Sequence, residues 1–214
     1  GVVVQLFQAG QNPTATVPLQ SVTTSNGGHY QFNNLTIGDY FIYLPTPPAN
    51  YPVSSTTTDQ SDNGEDRDDN GIQSAPGAAI TSPVINLAPF NEPTNLVDGD
   101  DSNSDQTIDF GFFAPVKIGD TVWYDSDVDG KYEPGLGEQG VAGVQVALFN
   151  ADGSPAKDVT GAPVATQTTG NDGKYLFQNL PPGSYFAQFA LNTLPTGYIV
   201  STQDAAGVAD DLDS

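Results

Sequence analysis

The stretch YDSDVDG (124–130) places Asp125, Asp127 and Asp129 at every second position, with Gly130 directly behind them. In a calcium loop of the EF-hand type, carboxylates fill positions 1, 3 and 5, and a glycine makes the sharp turn at position 6. In that register Lys131 offers its backbone carbonyl at position 7 and Glu133 falls at position 9. Position 12, where a bidentate Glu belongs, is Leu136; the nearest later acid is Glu138. A bulge at Pro134-Gly135-Leu136-Gly137 would let Glu138 close the site two residues late. Hard carboxylate oxygens in a flexible loop suit calcium better than magnesium, which demands a near-ideal octahedron. The competing reading is a solvated acidic turn, as most charge runs are. Alternating acids repel one another by tenths to about 1 kcal/mol per pair even in solvent, and an ordinary turn gains nothing from that.

Two further acidic clusters offer the same chemistry without fixed spacing. DQSDNGEDRDDNG (59–71) carries Asp59, Asp62, Glu65, Asp66, Asp68 and Asp69 against Arg67 alone, and DGDDSNSD (98–105) adds Asp98, Asp100, Asp101 and Asp105. Brought to one end of a fold, they would form a rim for several calcium ions; left apart, they are disordered acidic loops. Asp210, Asp211 and Asp213 begin the same kind of cluster again. Asp109 and Asp120 flank a junction in the chain and would there share an ion that stiffens it. Little else is suited to catalysis. His29, the single histidine, sits beside a Gly-Gly turn and reads as a surface residue. Paired acids such as Asp68 and Asp69 lack the buried pocket that raises one pKa for glycosidase work. Neither a Ser/His/Asp order nor a phosphate-cradling glycine loop is present.

The elements that must position these residues are strands. IGDTVWY (118–124) precedes the acidic loop and alternates at period two, with Trp123 as a core or interface anchor, while KYEPGLGEQG (131–140) cannot start a helix. One pattern occurs twice: GVVVQLFQ (1–8) matches GVQVALFN (143–150), TTSNGGHYQFNNLTIGDYFIYL (23–44) matches TTGNDGKYLFQNLPPGSYFAQF (168–189) without a gap, and ANYPVSST (49–56) matches TGYIVSTQ (196–203). Val144, Val146, Leu148, Tyr175, Phe177, Tyr185, Ala187 and Phe189 are expected to face one core. SNGG (25–28) and GNDG (170–173) supply residues for tight hairpin turns. The expected class is all-β, two tandem immunoglobulin-like or prealbumin-like β-sandwiches of short antiparallel strands.

The boundary falls between a closing strand, TIDFGFF (107–113), and an opening strand, KIGDTVWY (117–124), giving domains over 1–114 and 115–214. The first lacks a counterpart of IGDTVWYDSDVDG, its opening strand; the second lacks a counterpart of TIDFGFF, its closing strand. Two explanations fit: a window on a longer tandem array, or a fibre subunit that borrows an edge strand from a neighbouring chain.

Composition narrows the function. Hydrophobic residues make up 37% and aromatics 10%, enough for a core, and 23 Gly and 17 Pro imply many turns. The balance of 26 acids against 5 bases gives a net charge of −21, a field that repels nucleic acid and anionic membranes. The absence of Cys excludes disulfides and thiolate metal sites, so another staple is expected in an extracellular β-protein. There is no apolar run of membrane-spanning length and no signal peptide, so no membrane insertion is expected from this segment.

Taken in order, IGDTVWYDSDVDG, GVAGVQVALFNADG and TTGNDGKYLFQNLPPGSYFAQF resemble the SdrD B-like repeat, a relative of the collagen-adhesin B-type (prealbumin-like) domains; DRDDNGIQ (66–73) and VDGDDSNSDQTIDFGFF (97–113) fit its later part. The resemblance covers essentially the whole chain. It implies a β-sandwich with calcium bound in its loops, acting as a stalk, spacer or fibre body of an extracellular, secreted or surface-attached bacterial protein, without enzymatic activity. Tandem repeats or neighbouring subunits are the implied partners; the alternative is an adhesin module that binds a host or matrix ligand, protein or glycan, through its loops. Related B-type domains often carry a Lys–Asn isopeptide bond promoted by a Glu on a late strand. Here Gln188 and Tyr43 stand at the aligned places and residues 1–114 contain no Lys, so no such bond is expected.

Overall fold

The computed structural model describes residues 1–55, 69–89 and 104–200. It divides into two compact units, Gly1–Pro115 and Val116–Ser214, with the division beside Pro115. The first unit contains β1 (Val3–Gln8), β2 (Gln20–Thr23), β3 (Gly38–Leu44), β4 (Val53–Ser54), β5 (Ile72–Gln73), β6 (Ile80–Thr81), β7 (Ile85–Leu87) and β8 (Phe112–Phe113). The second contains β9 (Val116–Ile118), β10 (Gln145–Asn150), β11 (Gln167–Thr168), β12 (Phe177–Leu180) and β13 (Tyr185–Phe189). All ladders between these strands are antiparallel.

The repeat in the sequence is a repeat in topology. In the first unit β1 lies between β2 and β3, in the order β2-β1-β3-β6-β5 with β7 also on β3; in the second β10 lies between β11 and β13. Each unit adds a two-stranded ladder, β4-β8 in the first and β9-β12 in the second. Period-two alternation drives one face of each central hairpin inward. Val4 and Leu6 on β1 and Tyr40, Ile42 and Leu44 on β3 form the first core with Ile80, Ile85 and Ile108. Val146 and Leu148 on β10 form the second with Ala156, Phe177 and Leu180. The opposite face carries a stacked aromatic cross-strand pair in each unit: Phe7 on Phe41 and Phe149 on Phe186, both at 5.5 Å between ring centroids.

The turns form where glycine and asparagine stand. SNGG closes with Asn26 at φ 47°, Gly27 at 88° and Gly28 at 115°, and the second hairpin with Gly173 at 76°; Gly and Asn visit this left-handed region at least cost. His29 is exposed and bridges Ser25 across its turn.

Some expectations change on contact with the structure. Phe189 is 37% exposed rather than core, because β13 ends there and its ring meets Tyr175 edge-on at the sheet margin. The closing strand is shorter than TIDFGFF: among the described residues its ladder is Phe112–Phe113 with Val53 and Ser54. Upstream, single main-chain bonds (Ser55 N–H to Gly111, Asn70 N–H to Asp109) are joined by side-chain ones: Thr107 donates its N–H and hydroxyl to Asp105, and the Asp109 N–H donates to Asn70 Oδ1. The opening strand is likewise short, Val116–Ile118, continuing as single bridges at Thr121 and Trp123. Among the described residues no helix is long and apolar enough to cross a membrane.

Candidate metal centre

The acidic loop of the second unit is tied at its base. Trp123 bridges Gly140, and the Tyr124 N–H donates to the Gln139 carbonyl at 2.9 Å. The fourteen positions from 125 to 138 are thus held as one closed excursion from β-structure, not as a connector between helices.

Asp125 shapes its first half. Its Oδ1 accepts from the Val128 and Asp129 N–H groups at 2.8 and 3.2 Å, and its Oδ2 accepts from Gly130 at 3.1 Å. The tight curl needs two left-handed residues, Val128 at φ 63° and Gly130 at φ 78°. Glycine takes this without cost, whereas a β-branched valine there is strained by about 1–2 kcal/mol. The second half turns back through one 3-10 turn, Pro134–Leu136, ended by Gly137 at φ 105°. That turn carries exposed Leu136 away and brings Glu138 inward, where it is buried at 7% exposure. Glu138 Oε1 accepts from the Ser126 N–H at 2.9 Å and Oε2 from the Glu133 N–H at 2.7 Å.

Two carboxylate triads result. Asp125, Asp127 and Glu138 have ligand oxygens all within 4.8 Å of one another, and so do Asp127, Asp129 and Glu133. Asp127 belongs to both, and it is exposed. Each triad is an all-oxygen set, the donor chemistry that hard divalent cations such as calcium take. Lys131 occupies part of this ground. Its N–H donates to Asp129 Oδ1 at 2.9 Å and its Nζ lies 3.2 Å from Oδ2. The Lys131 backbone N–H first, and then its ammonium, hold the Asp129 carboxyl below the usual carboxylate range.

The structure therefore brings Asp125, Asp127, Asp129, Glu133 and Glu138 into one loop, with the late closure by Glu138 in place of Leu136. Asp69 joins no such triad among the described residues. It is buried, and its carboxylate accepts from Ser54 Oγ and the Gly71 N–H, both at 2.9 Å, tying the Asp69–Gly71 segment to β4. Asn70 extends the same tie to Asp109 through the backbone. Asp120 accepts from the Thr121 N–H with its side chain and from the Tyr175 N–H with its carbonyl. Asp62, Asp66, Asp68, Asp98, Asp100, Asp101, Asp210, Asp211 and Asp213 lie outside the described residues.

The SdrD B-like domain family matches residues 116–214, the unit that carries this loop. Residues 116–214 belong to the SdrD B-like domain family. The likeness of the whole chain is to long relatives. Serine-aspartate repeat-containing protein F of Staphylococcus epidermidis is 33% identical over 87% of this chain and 9% of its own length. Serine-aspartate repeat-containing protein D of Staphylococcus aureus (strain Newman) is 34% identical over 78% of this chain and 10% of its own. Colossin-A of Dictyostelium discoideum is 30% identical over 90% of this chain and 2% of its own. The chain thus spans a tenth or less of the relatives it matches, and the likeness is not confined to staphylococci. Both SdrD B-like features read from the motifs, the recurring hairpin and the all-β build, are present in the second unit.

Proposed function

We propose that this segment is a calcium-stabilised structural repeat of an extracellular surface protein, serving as stalk, spacer or fibre body, with other repeats as its partners and no enzymatic role. The observation that carries this reading is the pair of carboxylate triads sharing Asp127 in a loop closed at its base. Five acids face one another there with Lys131 as counter-charge. A cation bound between them removes their repulsion and cross-links the first and second halves of the loop. Ion binding to the folded state alone stabilises it by mass action, about 2.7 kcal/mol when the free ion exceeds its dissociation constant a hundredfold. Extracellular modules work with dissociation constants on the order of 10⁻⁴–10⁻³ M, which fits an outside location. The family resemblance, the lack of Cys and the net charge of −21 favour the same setting.

The test is thermal unfolding at fixed protein concentration while free calcium is raised from an EDTA baseline. The melting temperature is expected to climb with calcium and to do so less with magnesium. A melting curve indifferent to calcium removes the proposal.

A further inference from the structure

Deamidation of an asparagine begins when the main-chain nitrogen of the next residue attacks the side-chain amide carbon. Glycine, with no Cβ, hinders that nitrogen least. Two Asn-Gly pairs lie among the described residues, Asn70-Gly71 and Asn26-Gly27, and their surroundings are opposite. Asn70 is 1% exposed, its Oδ1 accepts from the Asp109 N–H at 2.7 Å, and the Gly71 N–H donates to Asp69 Oδ1 at 2.9 Å. A Cβ on Gly71 would strike Ser54 Oγ, so this segment has no space in which to turn.

Asn26 and Gly27 are both exposed, at the tip of the SNGG hairpin. The Ser25 carbonyl closes that turn, accepting from the Gly28 and His29 N–H groups at 3.0 and 2.9 Å. Those bonds pass over Gly27, whose N–H has no acceptor among the described residues. Every other Asn-Gly or Asp-Gly pair among the described residues has its glycine N–H bonded. Beside Gly71, Gly130 donates to Asp125, Gly153 to the Asn150 carbonyl and Gly173 to the Gly170 carbonyl. A Cβ built on Gly27 or Gly28 would meet nothing within 4 Å. Main-chain rotation here displaces no neighbour, so the nitrogen reaches the amide carbon by a local opening of the turn, without unfolding of the unit.

We propose that Asn26 is a modification site, converted through a succinimide to a mixture of aspartate and isoaspartate. The Gly27 nitrogen gives its proton to a solvent base and bonds to Asn26 Cγ. The Cγ–Nδ2 bond breaks, and the amide nitrogen takes a proton back from solvent and leaves as ammonia. Water then opens the ring. Breaking the new Cγ–N bond leaves aspartate; breaking the original peptide bond leaves isoaspartate, whose main chain runs through Cγ. In sum a water enters and an ammonia leaves, and nothing is oxidised or reduced. Either product adds a carboxylate to a chain already at −21, and the converted share records the age of the folded chain.

The equivalent turn of the second unit supplies the comparison. Asn171 and Asp172 align with Asn26 and Gly27, are exposed as well, and the Asp172 N–H also has no acceptor among the described residues. There the Val122 N–H donates to the next carbonyl, that of Gly173, at 2.9 Å. A segment lying alongside the hairpin therefore leaves this position open. What differs is the Asp172 side chain, which crowds the nitrogen that Gly27 leaves bare. The calcium reading plays no part in this chemistry.

The experiment incubates the whole folded chain in mildly alkaline buffer and follows each asparagine by peptide mapping with mass spectrometry, separating aspartate from isoaspartate. Asn26 is expected to convert at least about tenfold faster than Asn70, whose glycine must first give up a hydrogen bond to a carboxylate, and faster than Asn171. Urea should erase the difference from Asn70, since both asparagines precede glycine. Asn26 unchanged in the folded chain while it converts in urea would overturn the proposal. So would Asn70 keeping pace with Asn26 in the folded chain. Aspartate formed without isoaspartate would overturn it too, because direct hydrolysis needs no Gly27 nitrogen.

Discussion

Glu138 accepts a hydrogen bond from the Ser126 N–H at 2.9 Å, across twelve residues of chain, and so joins the end of the acidic loop to its beginning. Its other oxygen holds the Glu133 N–H. A buried carboxylate that satisfies two backbone donors supports the loop even before an ion arrives. Glu138→Ala is expected to lower the stability of the second unit by about 1–3 kcal/mol in EDTA, because two N–H groups lose their acceptor. Glu138→Gln keeps one carbonyl acceptor and should cost less in EDTA, yet it should lower calcium affinity at least about tenfold. Denaturant titrations with and without calcium separate the two effects.

Lys131 and a cation compete for Asp129. The ion pair is partly exposed at the surface, so its own contribution to stability is about 0–1 kcal/mol. Lys131→Gln should leave the calcium-free melting temperature almost unchanged and tighten calcium binding several-fold. Isothermal titration of both proteins checks this, and weaker binding in the variant would show that the ammonium does not oppose the ion.

Gly173 and Gly28 occupy equivalent turns with unequal surroundings. Both have left-handed φ, so alanine at either costs about 1 kcal/mol for the backbone alone. At Gly173 the new methyl also strikes the Val122 carbonyl and the Gly140 Cα. Gly173→Ala should therefore destabilise its unit by more than about 3 kcal/mol, and Gly28→Ala by about 1 kcal/mol. Urea unfolding of the two variants measures the difference.

The pH dependence has two limbs of opposite origin. Asp129, held low by the Lys131 N–H, and Asp152 and Asp158, held low by the hydroxyls of Ser154 and Thr160, have folded pKa values below their ordinary 3.8. Their contributions are complete above that value and disappear as pH falls through the lower folded ones. Burial first, and then Asp109 and Asp105, push the Tyr30 hydroxyl above its ordinary 10.0. That contribution is present below pH 10 and is lost as pH rises further. Urea midpoints should stay flat between about pH 5 and 9 and fall on both sides. Tyr30→Phe should shrink the alkaline limb without abolishing it, since burial also raises the Tyr175 and Tyr185 hydroxyls, and should leave the acid limb unchanged, although it also removes the hydrogen bond to the Ile108 carbonyl.

Much of this protein is written locally. The two copies of the hairpin, the alternation that points Val146 and Leu148 inward, the left-handed turns at SNGG and GNDG, and the spacing of Asp125, Asp127 and Asp129 all depend on neighbours a few residues apart. They are legible for that reason. Other features depend on where distant segments meet. That Glu138 and not Leu136 closes the loop follows from the Pro134–Leu136 turn together with the Trp123–Gly140 bridge. Glu133 comes within reach of Asp127 and Asp129 with its N–H held by the Glu138 carboxylate, five residues on. Asp69, in a cluster without fixed ligand spacing, ties its segment to β4, since Ser54 arrives from elsewhere in the chain. Identical local patterns at Phe32 and Phe177 end one half-open and one sealed, because burial is decided by the strand that lies alongside and not by the residue itself.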